Sequence, residues 1–257
     1  MKNNPQFIGV CTIVRREISR MFRIAGQVFL PPVITTLLYF TIFGKIIGSR
    51  MGVLDGNNYT TFIAPGLIMM TIITSAYSNV CTSLFNVRFQ RSIEEILISP
   101  LHPSLILLGY TLGGVIRGGI VGTLVFLIAS LFVRFDAINI PMTLLVVILV
   151  ATFFSLIGFT NAMLAKSFDD IALVPTFILT PLTYLGGVFY TTAMLPPFWK
   201  NITYFNPIYY MVNALRHAMI ASDEISIPIT LSVIFMMLIG TASLNLIMLR
   251  KGVGIRG

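Results

Sequence analysis

The chain has 257 residues, of which 56% are hydrophobic and only 10% charged. A soluble domain carries roughly 25% charged residues, so too little polar surface remains to cover a water-soluble globule and the bilayer must be the solvent for most of the chain. The net charge of +8 does not indicate nucleic-acid binding, because the basic residues are spread over the ends of apolar runs rather than gathered in one patch.

Residues 5–23 precede the first apolar run. Phe7, Val10, Cys11, Val14, Ile18, Met21 and Phe22 recur near helical spacing, and Arg15, Arg16, Glu17, Arg20 and Arg23 supply charge. This pattern predicts an amphipathic helix on the inner membrane surface within a cytoplasmic segment 1–24; an ordinary basic juxtamembrane segment is the simpler alternative. The run that follows is too long, and its lead-in too charged, for a cleavable signal peptide.

Six runs approach or exceed the roughly 20 residues of a spanning helix. They cover 25–48, 60–85, 105–133, 142–165, 171–190 and 227–249. Their length is helical, not that of alternating barrel strands. The expected fold is therefore all-α and polytopic: a six-helix transmembrane bundle over 25–250 with a tail at 251–257. Pro31, Pro32, Pro65, Pro175 and Pro181 fall inside runs and are read as kinks that shape the bundle. Cys11 and Cys81 lie in different segments, outside any C-x-x-C pair, and are read as small apolar fillers.

Between the second and third runs, residues 88–104 read RFQRSIEEILISPLHPS. Ile93, Ile96 and Leu97 recur at helical spacing beside Arg91, Glu94 and Glu95, and Pro100 and Pro103 end the pattern. A short amphipathic helix is expected here, either a docking element for a cytoplasmic partner or a solvated connection. The third run holds Arg117 among Gly109, Gly113, Gly114, Gly118, Gly119 and Gly122. Small residues four apart allow close helix packing. Arg117 has two possible placements: on an internal polar surface, or near the inner face and snorkelling outward. The length of the run favours the second. The stretch 191–221 is broken by Pro196, Pro197 and Pro207 and crowded with aromatic residues. It suits short outer or re-entrant helices that do not cross.

With both termini in the cytoplasm, the inner segments hold eleven Lys and Arg residues and the outer ones five, Arg117 excluded. That bias supports this orientation. All nine acidic residues lie at run ends or outside the runs, which weakens a proton-coupled carrier. No phosphate-cradling loop of the G-x-x-x-x-G-K-[ST] type occurs, so an ATP-driven process would need a separate ATPase chain. H-E-x-x-H and G-x-S-x-G are absent, and the only histidines are His102 and His217; a membrane hydrolase has little support.

Leu179, Leu182, Leu185, Gly186, Val188, Leu195 and Pro196, followed by Pro207, Ile208, Tyr210 and Arg216, meet the signature of a known group. This part of the sequence resembles the ABC-2 family of transporter permeases, and the resemblance extends over essentially the whole chain. FQRSIEEIL at 89–97, FDDIALVPTFILTPLTYLGGVFY at 168–190 and LPPFW at 195–199 are similar to bacterial inner-membrane members. The resemblance implies a type V exporter-like bundle and a homodimer of permeases with two ABC ATPase subunits, which would carry ATP and magnesium. It also implies that Arg91, Ile93, Glu94, Glu95, Ile96 and Leu97 couple the two. No catalytic residue, metal or cofactor is expected in this chain itself. Membrane lipids and an exported drug, lipid or glycan-like substrate complete the expected partners; an ATP-independent carrier or channel is the alternative.

Overall fold

The computed structural model describes residues 5–54, 56–90, 101–135, 137–222 and 224–253, the side chains of Lys45, Ser49 and Met51 apart. The expected loop helix carrying Arg91, Ile93, Glu94, Glu95, Ile96 and Leu97 lies outside the described residues.

Helix α1 spans Pro5–Arg23. Helix α2, Ala25–Tyr39, widens into π-type turns over Phe40–Ile47 and ends in Gly48–Met51. A two-residue hairpin pairs β1, Val53–Leu54, with β2, Asn57–Asn58. Then follow α3, Tyr59–Phe89; α4, Pro103–Ala129; and α5, Ile140–Leu164. Composite helix α6 joins Phe168–Leu173, a π-type segment Val174–Leu179 and Thr180–Tyr184. Two short helices follow, α7, Pro197–Phe205, and α8, Pro207–Ile220, before the final α9, Ile227–Lys251. Five described helices are long and apolar enough to cross a membrane: Ala25–Gly44, α3, α4, α5 and α9. The chain is an all-α polytopic membrane protein.

The two ends of the bundle are fixed by different contacts. At the α1 end, Arg88 of α3 donates to the carbonyls of Ala162 and Ala165 at the end of α5. Phe85 and Phe89 pack on Phe168 there. At the hairpin end, the Asn139 N–H donates to the Ala218 carbonyl at 2.8 Å, and Phe40 stacks on Phe132. The Tyr39 and Tyr184 hydroxyls share a hydrogen bond of 2.7 Å. Composite α6 therefore runs from one end to the other.

Its irregularity follows from sequence. Ser167 and Asp170 form a capping box that starts it. Pro175 and Pro181 have no N–H to donate, and the turns between them widen. The Thr180 hydroxyl also donates to the Pro175 carbonyl at 2.8 Å. Sequence length suggested a helix over 171–190, but the helix stops at Tyr184. Gly187 turns the chain at φ 72°, a conformation costly for residues with a Cβ, and the Asn206 amide donates to the Leu182 carbonyl at 2.6 Å.

Helix α3 lies at the centre, against α4, α5 and α8. Small residues allow this. A Cβ on Gly158 would stand 2.5 Å from the Tyr77 carbonyl oxygen, and one on Gly114 would collide with Ser155. Buried polar side chains join helices where packing alone lacks direction in lipid. Asn245 of α9 donates to the Leu156 carbonyl and accepts from Thr160, and Asn161 donates to the Tyr77 hydroxyl. Cys81 is buried and Cys11 exposed. The outer faces of α2, α6 and α9 are apolar, with Leu30, Ile34, Leu38, Phe177, Met236 and Ile239 exposed.

Candidate functional site

Two clusters of charge sit inside the bundle, one at each end. The first lies under α1, which runs along the first half of α4: Ile13 rests on Gly109 and the Glu17 stem on Gly113. Glycine at those positions lets a carboxylate reach the interior. Glu17 is 1% exposed. It accepts from the Ser83 hydroxyl, from Asn79 Nδ2 at 3.2 Å and from Arg20 at 3.0 Å. Arg20 also donates to the Asn79 carbonyl and side-chain oxygen at 2.8 and 2.9 Å. Arg16 donates to the Tyr110 hydroxyl at 2.6 Å. A single carboxylate thus ties α1 to α3, with the amide and hydroxyl filling its remaining acceptor sites, the condition for burying charge at tolerable cost.

The structure adds a protein-packed face to the amphipathic α1. Its packed face carries Ile13, Glu17 and Met21, whereas Phe7, Cys11 and Phe22 are exposed. The apolar stripe of Phe7, Val10, Cys11, Val14 and Ile18 forms one wall of an open groove faced by Leu105, Leu108 and Leu112 of α4. Arg117 is also placed more specifically than its helix length suggested. It lies within electrostatic reach of Glu17 and Arg20, and its Nε is buried with no partner among the described residues. Arg117 as a whole is half-buried, which fits a covered stem whose terminal nitrogens reach outward.

The second cluster assembles the signature residues at the hairpin end. Gly186 packs against Ile208, where a Cβ would stand 2.9 Å from the Ile208 side chain. Val188 sits against Gly66 of α3, and Leu179 is buried. Leu182 offers its carbonyl to Asn206, whose side-chain oxygen caps α8 through the Ile208 N–H at 3.0 Å, with Pro207 at the first helical position. The Tyr210 hydroxyl donates to the Tyr204 carbonyl. Leu185 and Leu195 are half-buried, and Pro196 is exposed before α7. Arg216 closes the motif. It is 0% exposed, donates to the Gly187 carbonyl at 2.7 Å and to Asn213 at 3.3 Å, and lies 3.8 Å from the centre of the Phe62 ring. Glu224 is 3.6 Å away and also accepts from the Thr192 N–H and hydroxyl.

Residues 9–220 match the ABC-2 type transporter family. The chain belongs to that family. It is 45% identical over 250 residues to the inner membrane transport permease YadH of Escherichia coli K12, with 97% of this chain and 98% of the relative aligned. The same identity and coverage hold for the YadH permease of Shigella flexneri. Nodulation protein J of Rhizobium leguminosarum bv. viciae is 22% identical over 84% of this chain and 83% of its own length.

In this ABC-2 permease the expected coupling residues are not described, but both flanks of their loop are. Arg88 pins the end of α3 to α5, and Leu101 packs on Gly9 of α1. The two described flanks thus stand at one end of the bundle, the first against α5 and the second against α1. Glu17, Asn79, Ser83 and Glu224 carry no sequence signal as site residues. Glu17 looks like part of the charged side of an amphipathic helix, and Glu224 lies in a short connection. The one legible hint was the glycine run opposite Glu17, which announces close approach without naming the neighbour.

Proposed function

We propose that this permease is the membrane subunit of an ATP-driven exporter. In this reading two copies form the pathway and two ABC ATPase subunits, carrying ATP and magnesium, drive alternating access. The membrane is the bacterial inner membrane, in line with the printed description of the YadH relatives, and both termini face the cytoplasm, in line with the bias of Lys and Arg along the sequence. The observation that carries the reading is the tie between α1 and α3 through Glu17, at the same end of the bundle as Arg88 and Leu101, the described flanks of the loop. A push on that loop or on α1 meets a junction that cannot slide without unpairing a buried charge, so movement passes to the bundle as a unit. Composite α6 supplies a sixth crossing between the bundle ends. Substrate leaves on the hairpin side; a drug, a lipid or a glycan-like molecule suits such a pathway.

The orientation is checked by cysteine labelling in sealed cells. Cysteines at Asn57 and Asn139 should react from outside and one at Ser92 should not; labelling of Ser92 from the outer face reverses the topology. Coupling is checked with Glu94→Ala combined with Glu95→Ala. Truncating one side of a desolvated charge pair costs roughly 2–5 kcal/mol. The double variant should lose most ATPase co-purification or most substrate-stimulated hydrolysis in proteoliposomes, while still inserting. Asp136→Asn, in the connection between α4 and α5, should behave as wild type. Unchanged coupling in the double variant removes the acids from the docking surface, and transport that persists without any ATPase removes the exporter reading.

A further inference from the structure

Arg117 lies midway along α4 and has no ion pair among the described residues. The carboxylate within its electrostatic reach, Glu17, is already held by Arg20, Asn79 and Ser83, and Arg20 adds a like charge. An uncompensated cation among membrane helices is costly and calls for an anion. The level of Arg117 is set by its neighbours. Met21 of α1 and Val28 of α2 close on Val121, one turn further along, so Arg117 stands beside the corner where α1 turns into α2 and where Arg20 and Arg23 also stand. Long helical side chains lean toward the helix N-terminus, here toward the α1 end and the water.

From that level an apolar groove runs along α4 toward the hairpin end. Ile116, Gly119, Ile120, Leu124 and Leu127 line it on one side and Phe29 of α2 on the other, with a volume of about 740 Å³. From 116 to 127 the helix rises roughly 16 Å, about half the hydrocarbon thickness of a bilayer. Gly119 keeps the groove open, since a Cβ there meets nothing within 4 Å. Arg117 is outside the groove's lining, but three residues before Ile120 and seven before Leu124 it shares their helix face on the α1 side. A guanidinium there, beside an apolar channel about one leaflet deep, matches one chemistry: an acyl chain with an anionic head.

We propose that this groove holds an anionic phospholipid from the leaflet on the α1 side, its phosphate at Arg117 and an acyl chain against Phe29, Ile120 and Leu124. The charge supplies the choice of headgroup and the groove supplies the residence.

Native mass spectrometry of the purified permease in detergent, with added phosphatidylglycerol or phosphatidylcholine, tests this. One phosphatidylglycerol per chain should be retained about tenfold more tightly than phosphatidylcholine. Arg117→Gln should abolish the preference, Arg117→Lys should keep most of it, and Arg134→Gln, at the hairpin end, should leave it unchanged. Gly119→Leu sets its Cβ in open space, places bulk in the groove and should weaken retention of both lipids about tenfold while the melting transition stays in place. If Arg117→Gln does not give monodisperse protein, Gly119→Leu decides. The proposal is overturned if wild type shows no preference, if Arg117→Gln retains it, or if millimolar inorganic phosphate displaces the bound lipid. It is equally overturned if Gly119→Leu shifts oligomeric state with lipid retention unchanged, which would seat a second copy in the groove.

Discussion

Replacing Glu17 by alanine is expected to release α1 from the bundle. The side chain is 1% exposed and satisfies Ser83, Asn79 and Arg20 together. Removing it leaves the Arg20 guanidinium, itself only a quarter exposed, beside orphaned polar groups. Breaking a buried pair from one side costs about 3–5 kcal/mol, far more than an exposed pair at under about 1 kcal/mol. Arg16→Ala is the matched comparison. Arg16 lies 3.7 Å from the same carboxylate but is 44% exposed, and its loss should shift stability little. Glu17→Gln keeps an acceptor for Ser83 and Asn79 and should fall between the two. The readouts are the thermal midpoint of the purified permease and substrate-stimulated ATP hydrolysis with its ATPase. If Glu17→Ala melts and couples like wild type, the junction does not transmit movement.

The second large effect is expected at Arg216. Its guanidinium is fully buried, donates to the Gly187 carbonyl, pairs with Glu224 and lies over Phe62. Arg216→Leu leaves Glu224 and the Gly187 carbonyl without their cation and removes a cation–π contact. The loss should be about 3–5 kcal/mol, with little folded protein recovered. Arg216→Lys should rescue only in part, because an ammonium cannot reach the carbonyl, the carboxylate and the ring in one plane. Pairing Arg216→Leu with Glu224→Gln should recover part of the deficit, since the second change removes the stranded carboxylate. Melting curves of wild type, Arg216→Leu, Glu224→Gln alone and the double variant measure this; strict additivity would show that the two residues act separately. The role assigned is structural: Arg216 fastens α8 and the Gly187 turn to α3.

Much of this architecture was legible in composition and period. Runs of apolar residues marked the helices within a few positions, because a helix in lipid must be long and apolar whatever its neighbours. The signature placed Gly186, Pro207, Ile208 and Arg216 in one motif, and the fold brings them together. Periodicity also found α1 and its apolar stripe, but not the polar residue on its packed face. A hydrophobic stripe reports which side avoids water, and beside a membrane both lipid and protein meet that need. Lipid or solvent faces Phe7 and Cys11, while the protein takes Glu17.

The sequence by itself determined an all-α membrane bundle, the approximate helices and the ABC-2 signature, since each depends on local composition or spacing. Only the tertiary structure decided the fate of the charges. Glu17 with Asn79 and Ser83, and Arg216 with Glu224, Gly187 and Phe62, are pairings across separate helices and turns. Whether a charge can be buried depends on donors and acceptors supplied by distant segments, and no local pattern records those partners.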